Sequence, residues 1–259
     1  MRLATLPALF ISHGAPTLAL EAGSVSAALQ RLSSNLPTPT AIVVMSAHWQ
    51  SHTLEVSTGT RPETWHDFRG FPDELYHLRY PAAGDPALAD HLLGLLHSAG
   101  LVAHGNLMRP RDHGVWVPLR HLYPNADIPV IQLSIPISFN AAQLHHVGRV
   151  LAKLRQAQIL LIGSGSITHN LHELSRQSPD APTPEWASGF RQWVVNHLAH
   201  DDYDSVLDWL ARAPHARRNH PTDEHLSPLF FAMGAGQRFS LVHSSFMFGA
   251  LGMDIYRFD

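Results

Sequence analysis

The chain has 259 residues, 45% of them apolar and 15% charged, with a net charge of −3 when its histidines are neutral. Such a composition fits one large domain with a sizeable core, and it speaks against disorder, nucleic acid and anionic membrane as partners. It contains no cysteine, so disulfides and thiolate metal sites are excluded, and any metal must be held by His, Asp, Glu or water.

In chain order, the first segment, "MRLATLPALFISHGAP", has one Arg and a short apolar run. Pro7 and His13 interrupt the run and no small-x-small cleavage pattern follows, so it does not read as a signal peptide. No apolar stretch approaches the ~20 residues that span a bilayer. A cytoplasmic location is expected. Short runs rich in Val, Ile and Leu at 8–12, 41–46, 129–135 and 158–163 are bounded by Pro, Gly, Ser or Thr. That is the pattern of strands buried on both faces. Stretch 58–84 is long, aromatic and aperiodic, which predicts a functional loop covering the active site.

Helices are predicted over 85–100, with Asp85 as N-cap, Pro86 in the first turn and a Gly stop, and over 140–156, with Asn140 as cap. Two more follow over 185–199 and over 222–235, the last capped by Thr222 or Asp223. Segments 238–246 and 252–258 alternate well enough to form a late antiparallel edge pair. The expected fold is α/β: a single domain over 1–259 with a central, mostly parallel sheet, helices on both faces and that edge pair.

Histidines number 20, more than the 18 Lys plus Arg, so position must separate site residues from the rest. His13 follows "LFIS", His48 follows "VVMSA" and His169 follows "LLIGSGSIT". Ligands of open α/β sheets bind beyond the carboxyl ends of the strands, and three strands ending alike in histidine point to a shared site. Imidazole suits Zn(II) and Fe(II). The small residues Ser12, Gly14, Ala47, Gly163, Ser164 and Gly165 leave room for backbone to crowd such a site. In "RNHPTDEHLSP" (218–228), Thr222, Asp223 and Glu224 are ordinary first-turn residues, whereas His225 has no capping role. In "RPRDHGVWVPL" (109–119), Asp112 is placed to orient the His113 ring.

The stretches "FISHGAP", "SAHW", "HDFRGFPDELYHLRYPAAG", "DHGVWVPLRHLYPNADIPVIQLSI", "GSGSITHNL" and "HPTDEHLSPLFFAMGA" occur in this order and cover most of the chain. With them the chain resembles the class III extradiol dioxygenases, in the DOPA 4,5-dioxygenase-like branch. The resemblance implies one non-haem metal, with His13, His48 and His225 on the three ligand positions. His169 falls on the acid/base position and in some members counts as a fourth ligand, and His113 falls on a position facing substrate or oxygen. Other branches supply a glutamate as third ligand; here the fitting residue is His225, with Glu224 beside it. An all-histidine set suits Zn(II) as well as the Fe(II) expected for activity.

The implied partners are a small aromatic diol and dioxygen, with His169 the first and His113 the second choice for proton transfer. Trp49, Trp65, Phe68 and Phe71 are candidates to enclose the ring, and His66 and Asp67 could reach a substrate substituent. "GSGS" at 163–166 lacks the dinucleotide-binding spacing. Two alternatives stand beside this reading: a zinc hydrolase on the same histidines, and a non-catalytic metal-binding relative. The natural catechol and the oligomeric state stay open.

Overall fold

Aliphatic residues in the apolar runs alternate between two covered faces, and this makes them strands. In the computed structural model, which describes residues 4–21, 23–175 and 178–259, they are β1 (Ala8–Ser12), β2 (Ala41–Ser51), β5 (Val130–Pro136) and β6 (Ile159–Gly165). Residues 1–3 of the N-terminal run lie outside the described residues. The other strands are β3 (Leu54–Ser57), β4 (Ala103–Asn106), β7 (Phe239–His243), β8 (Phe246–Met247), β9 (Leu251–Gly252) and β10 (Ile255–Phe258). Eight of them form one sheet in the order β4-β3-β5-β2-β6-β1-β10-β7, while β8 and β9 pair apart. The four central strands are parallel. The late strands β7 and β10 form an antiparallel pair at one edge, β10 lying against β1.

Helices α1 (Ser24–Ser34), α2 (Asp73–His77), α3 (Pro86–Ser98), α4 (His113–Leu122), α5 (Ala141–Leu151), α6 (Glu185–Ala199), α7 (Tyr203–Leu207), α8 (Trp209–Arg212), α9 (Ala216–Asn219) and α10 (Ser227–Ala235) complete the domain. Phe10, Val43, Met45 and Leu161 share one core with α3, α5, α6 and α10. Leu9, Ile11, Ile42, Val44 and Ile162 face the opposite way and pack on α1 and α4. Asp85 accepts from the Leu88 N–H at 3.0 Å, and Asn140 forms a capping box with Gln143, as their positions predict. Among the described residues no helix is long and apolar enough to cross a membrane.

Two predicted elements differ in detail. The helix expected over 222–235 begins only at Ser227, because Pro228 has no N–H to donate to the Glu224 carbonyl. His225 therefore sits in the turn ahead of α10. The 58–84 segment is not structureless: it contains α2, and it is sewn to the start of α4 by Trp65 N–H to Arg111 O (2.7 Å), Arg111 N–H to Glu63 O (2.8 Å) and Trp116 Nε1–H to Trp65 O (3.0 Å).

Candidate metal centre

Each histidine is delivered by a different element. His13 is the residue after β1. It is followed by Gly14 at φ 65°, a left-handed turn where a side chain would also collide with Met253. His48 lies inside β2, three residues short of its end, rather than beyond it. His113 opens α4, and His169 follows β6 by four residues. His225 reaches the same place because its turn lies directly on β6. A Cβ on Gly165 would stand 2.1 Å from the His225 carbonyl oxygen, and that carbonyl accepts from Ser166 N–H at 2.8 Å.

The imidazoles converge. Ring centroids of His13 and His48 are 4.9 Å apart, His48 and His113 4.0 Å, His13 and His225 5.4 Å, and His48 and His225 4.9 Å. Potential ligand atoms fall into two tight groups, His13–His48–His113 and His169–Glu224–His225.

Hydrogen bonds settle the tautomers of three rings. Pro118 cannot donate to the Gly114 carbonyl four residues back, and the Ser164 hydroxyl donates to that carbonyl instead, at 2.5 Å. Its only proton spent, Ser164 Oγ must accept from His13 Nδ1–H at 3.0 Å, which leaves the His13 Nε2 lone pair free. Likewise Asp67 Oδ1 accepts from His113 Nδ1–H at 2.9 Å, and Glu224 Oε1 accepts from His225 Nδ1–H at 2.9 Å. Each ring is tied at Nδ1 and free at Nε2, which is how metal-binding histidines are normally held.

Whether the site fits a metal is tested by its own unsatisfied atoms. Among the described residues, His225 Nε2 is buried with no partner. The Nε2 atoms of His13 and His48 face each other at 3.0 Å. That gap takes either one proton, donated by His48, or one metal ion, whose nitrogen ligands at ~2.0–2.1 Å stand ~3 Å apart. Burial and the neighbouring histidines push His13 and His225 well below the usual imidazole value. Burial, reinforced by His113, brings His48 down to about 4. Neutral and N-donating, with two Nε2 atoms facing each other and a third unpartnered, the set fits a divalent transition ion. His169 stacks on His225 with centroids 3.5 Å apart and planes 7° from parallel. Burial lowers His169 to about 4 as well.

Asp112 does not orient His113. It is fully buried and points the other way, to Ser46, Arg109 and Gln132. The orienting carboxylate is Asp67, which accepts from both the ring and the backbone N–H of His113 (2.9 and 3.0 Å) and caps the start of α4. Burial raises its pKa, but the His113 bonds outweigh that and hold it below the ordinary range. Asp67 lies 46 residues before its partner, so spacing gives no sign of the pair. Glu224 and Ser164 read in the sequence as a first-turn residue and a small residue.

A cleft of about 580 Å³ opens over the histidines, lined by His13, His48, His113, His169 and His225 and walled by Phe68, Phe71, Leu171, Leu174, Phe248 and Leu251. Trp49 and Trp65 are not among its lining residues. Both lie against Arg109, whose guanidinium carbon is over the two rings at 4.8 and 5.1 Å from their centroids.

Residues 7–259 match the family model described as the catalytic LigB subunit of aromatic ring-opening dioxygenase. A Beta vulgaris protein named 4,5-DOPA dioxygenase extradiol is 36% identical over 258 residues, 96% of this chain and 95% of the relative. An Escherichia coli K12 protein of the same name is 40% identical over 233 residues, 89% of this chain and 85% of the relative. The crystal structure of an uncharacterized Escherichia coli K12 protein matches with a TM-score of 0.84 at 33% identity, covering 98% of this chain and all of that one.

Proposed function

The chain belongs to the family of the catalytic LigB subunit of aromatic ring-opening dioxygenases, and on that premise we propose that it performs extradiol cleavage of a catechol-type ring. The observation that carries this reading is the convergence of imidazoles on the floor of a cleft with phenyl and leucine walls, with His13 and His48 turning Nε2 toward each other and His225 Nε2 unpartnered among the described residues. His13, His48 and His225 would hold the ion, Fe(II) for turnover, with Zn(II) the other ion such a set binds. When bound, the ion supplies Lewis acidity toward both diol oxygens and a path for electrons from ring to dioxygen.

The protein's part is placement and proton transfer. Phe68, Phe71, Leu174 and Leu251 enclose the ring and keep bulk water away. His169, neutral and stacked beside the ligand set, accepts the diol proton and later returns it as the O–O bond breaks. His113, with Nδ1–H fixed by Asp67, offers its other nitrogen to the same cleft. The ring supplies all four electrons and both oxygen atoms enter the product, so no reductant is consumed.

Anaerobic loading with Fe(II), followed by air and a panel of catechols that includes DOPA, tests the proposal by absorbance. A yellow ring-opened semialdehyde that is absent without iron is expected. No ring-opened product from any catechol would overturn it.

A further inference from the structure

Arg109, which lies over the rings of Trp49 and Trp65, reaches the metal centre through the backbone of His48. Strand β2 pairs with β5 at Met45↔Leu133 and again at Gln50↔Ile135, so residues 46–49 stand against Ser134 alone. A bulge of this kind re-aims side chains, and His48 lies within it. Within the bulge the His48 N–H donates to Ser46 Oγ (3.3 Å), and Ser46 donates on to Asp112 Oδ1 (2.6 Å). The His48 carbonyl accepts from Arg109 Nη2 (3.0 Å), and the same nitrogen donates to Asp112 Oδ2 (2.7 Å). Both ends of this residue's backbone thus return to one fully buried carboxylate, which Gln132 also serves. The guanidinium lies over the rings of both Trp49, which is buried, and Trp65, which is 42% exposed.

We propose that Arg109, clamped by Trp49 and Trp65 and anchored on Asp112, is a positioning residue that sets the aim of His48 at the metal. The inference rests on His48 being a ligand. A planar guanidinium can stack between two rings while donating in its own plane. The compact ammonium of lysine keeps the charge but cannot make both contacts. Because Arg109 and Asp112 neutralise each other, the clamp fixes the ligand without leaving a net charge beside the cation site.

The test is chelator competition for Zn(II) and Co(II) by wild type, Arg109→Lys, Trp65→Leu and His48→Ala, with circular dichroism of each metal-free protein and the visible bands of the Co(II) forms. Arg109→Lys should keep its fold, bind metal ~10–100-fold more weakly and shift the Co(II) bands. Trp65→Leu, a change at a half-open surface, should shift both in the same direction by less. His48→Ala should abolish tight binding. Wild-type affinity and bands in Arg109→Lys, with binding lost in His48→Ala, would overturn the clamp and leave the ligand set standing. Unchanged affinity in His48→Ala would overturn both. If Arg109→Lys does not fold, Trp65→Leu decides by the same criteria.

Discussion

The chemistry of single residues here is set by what holds the far side of each imidazole. Ser164 keeps its proton for Gly114 because Pro118 has none to give, and His13 is fixed as a consequence. Ser164→Ala should therefore weaken metal binding by ~10–100-fold while the fold persists, as measured by chelator competition. His169→Ala should retain metal and lose ~10²–10⁴-fold in turnover, the range of a general acid–base group. His225→Ala should lose metal and His113→Ala should keep it, which metal analysis of the purified variants checks. That comparison also separates the two candidates for the third ligand, since the His113 ring is nearer to His48 (4.0 Å) than the His225 ring is (4.9 Å). His13, His48, His169 and His225 were legible as candidates because they follow apolar runs or escape a capping role. Asp67 was read only as a possible substrate contact, and the orienting roles of Asp67, Ser164 and Glu224 were not legible, because they rest on a contact with a residue remote in sequence or a direction of the side chain, and neither leaves a local pattern.

At the scale of elements, the parallel strands were readable because burial on both faces leaves uninterrupted aliphatic runs. β3 and β4 were not, being four residues each, with β4 largely exposed. α4 was hidden by Pro118 inside it, the same residue that frees the Gly114 carbonyl. The contact that brings α10 to the site depends on glycines of β6. A Cβ on Gly163 would lie 2.0 Å from the Pro228 carbonyl oxygen, as one on Gly165 would lie 2.1 Å from that of His225. Neither neighbour is a flexible side-chain end, so backbone must move. Gly165→Ala should destabilise the protein by ~1–3 kcal/mol, the cost of overpacking, and should displace His225. Denaturant unfolding measures the first effect and metal content the second.

For the whole molecule, the buried histidines make stability depend on pH. His48, His169 and His220 are each lowered to about 4, chiefly by burial, against ~6.5 in an unfolded chain. Between those values the unfolded chain binds more protons, so their contribution is complete above pH 6.5 and is lost as pH falls toward 4. Asp254 acts oppositely: burial raises it to about 6, so its contribution declines as pH rises through that value. Three groups outweigh one, and the Tm of the metal-free protein should fall as pH drops from 6.5 to 4. A Tm that is flat or rising over that interval would contradict this. The central claim, that the histidine floor and apolar cleft open a catechol ring with dioxygen, is tested most directly by oxygen uptake counted against product in the Fe(II)-loaded protein with no reductant added. One dioxygen consumed per ring opened, with no peroxide released, is the predicted result; no uptake, or uptake with peroxide and an intact ring, would contradict it.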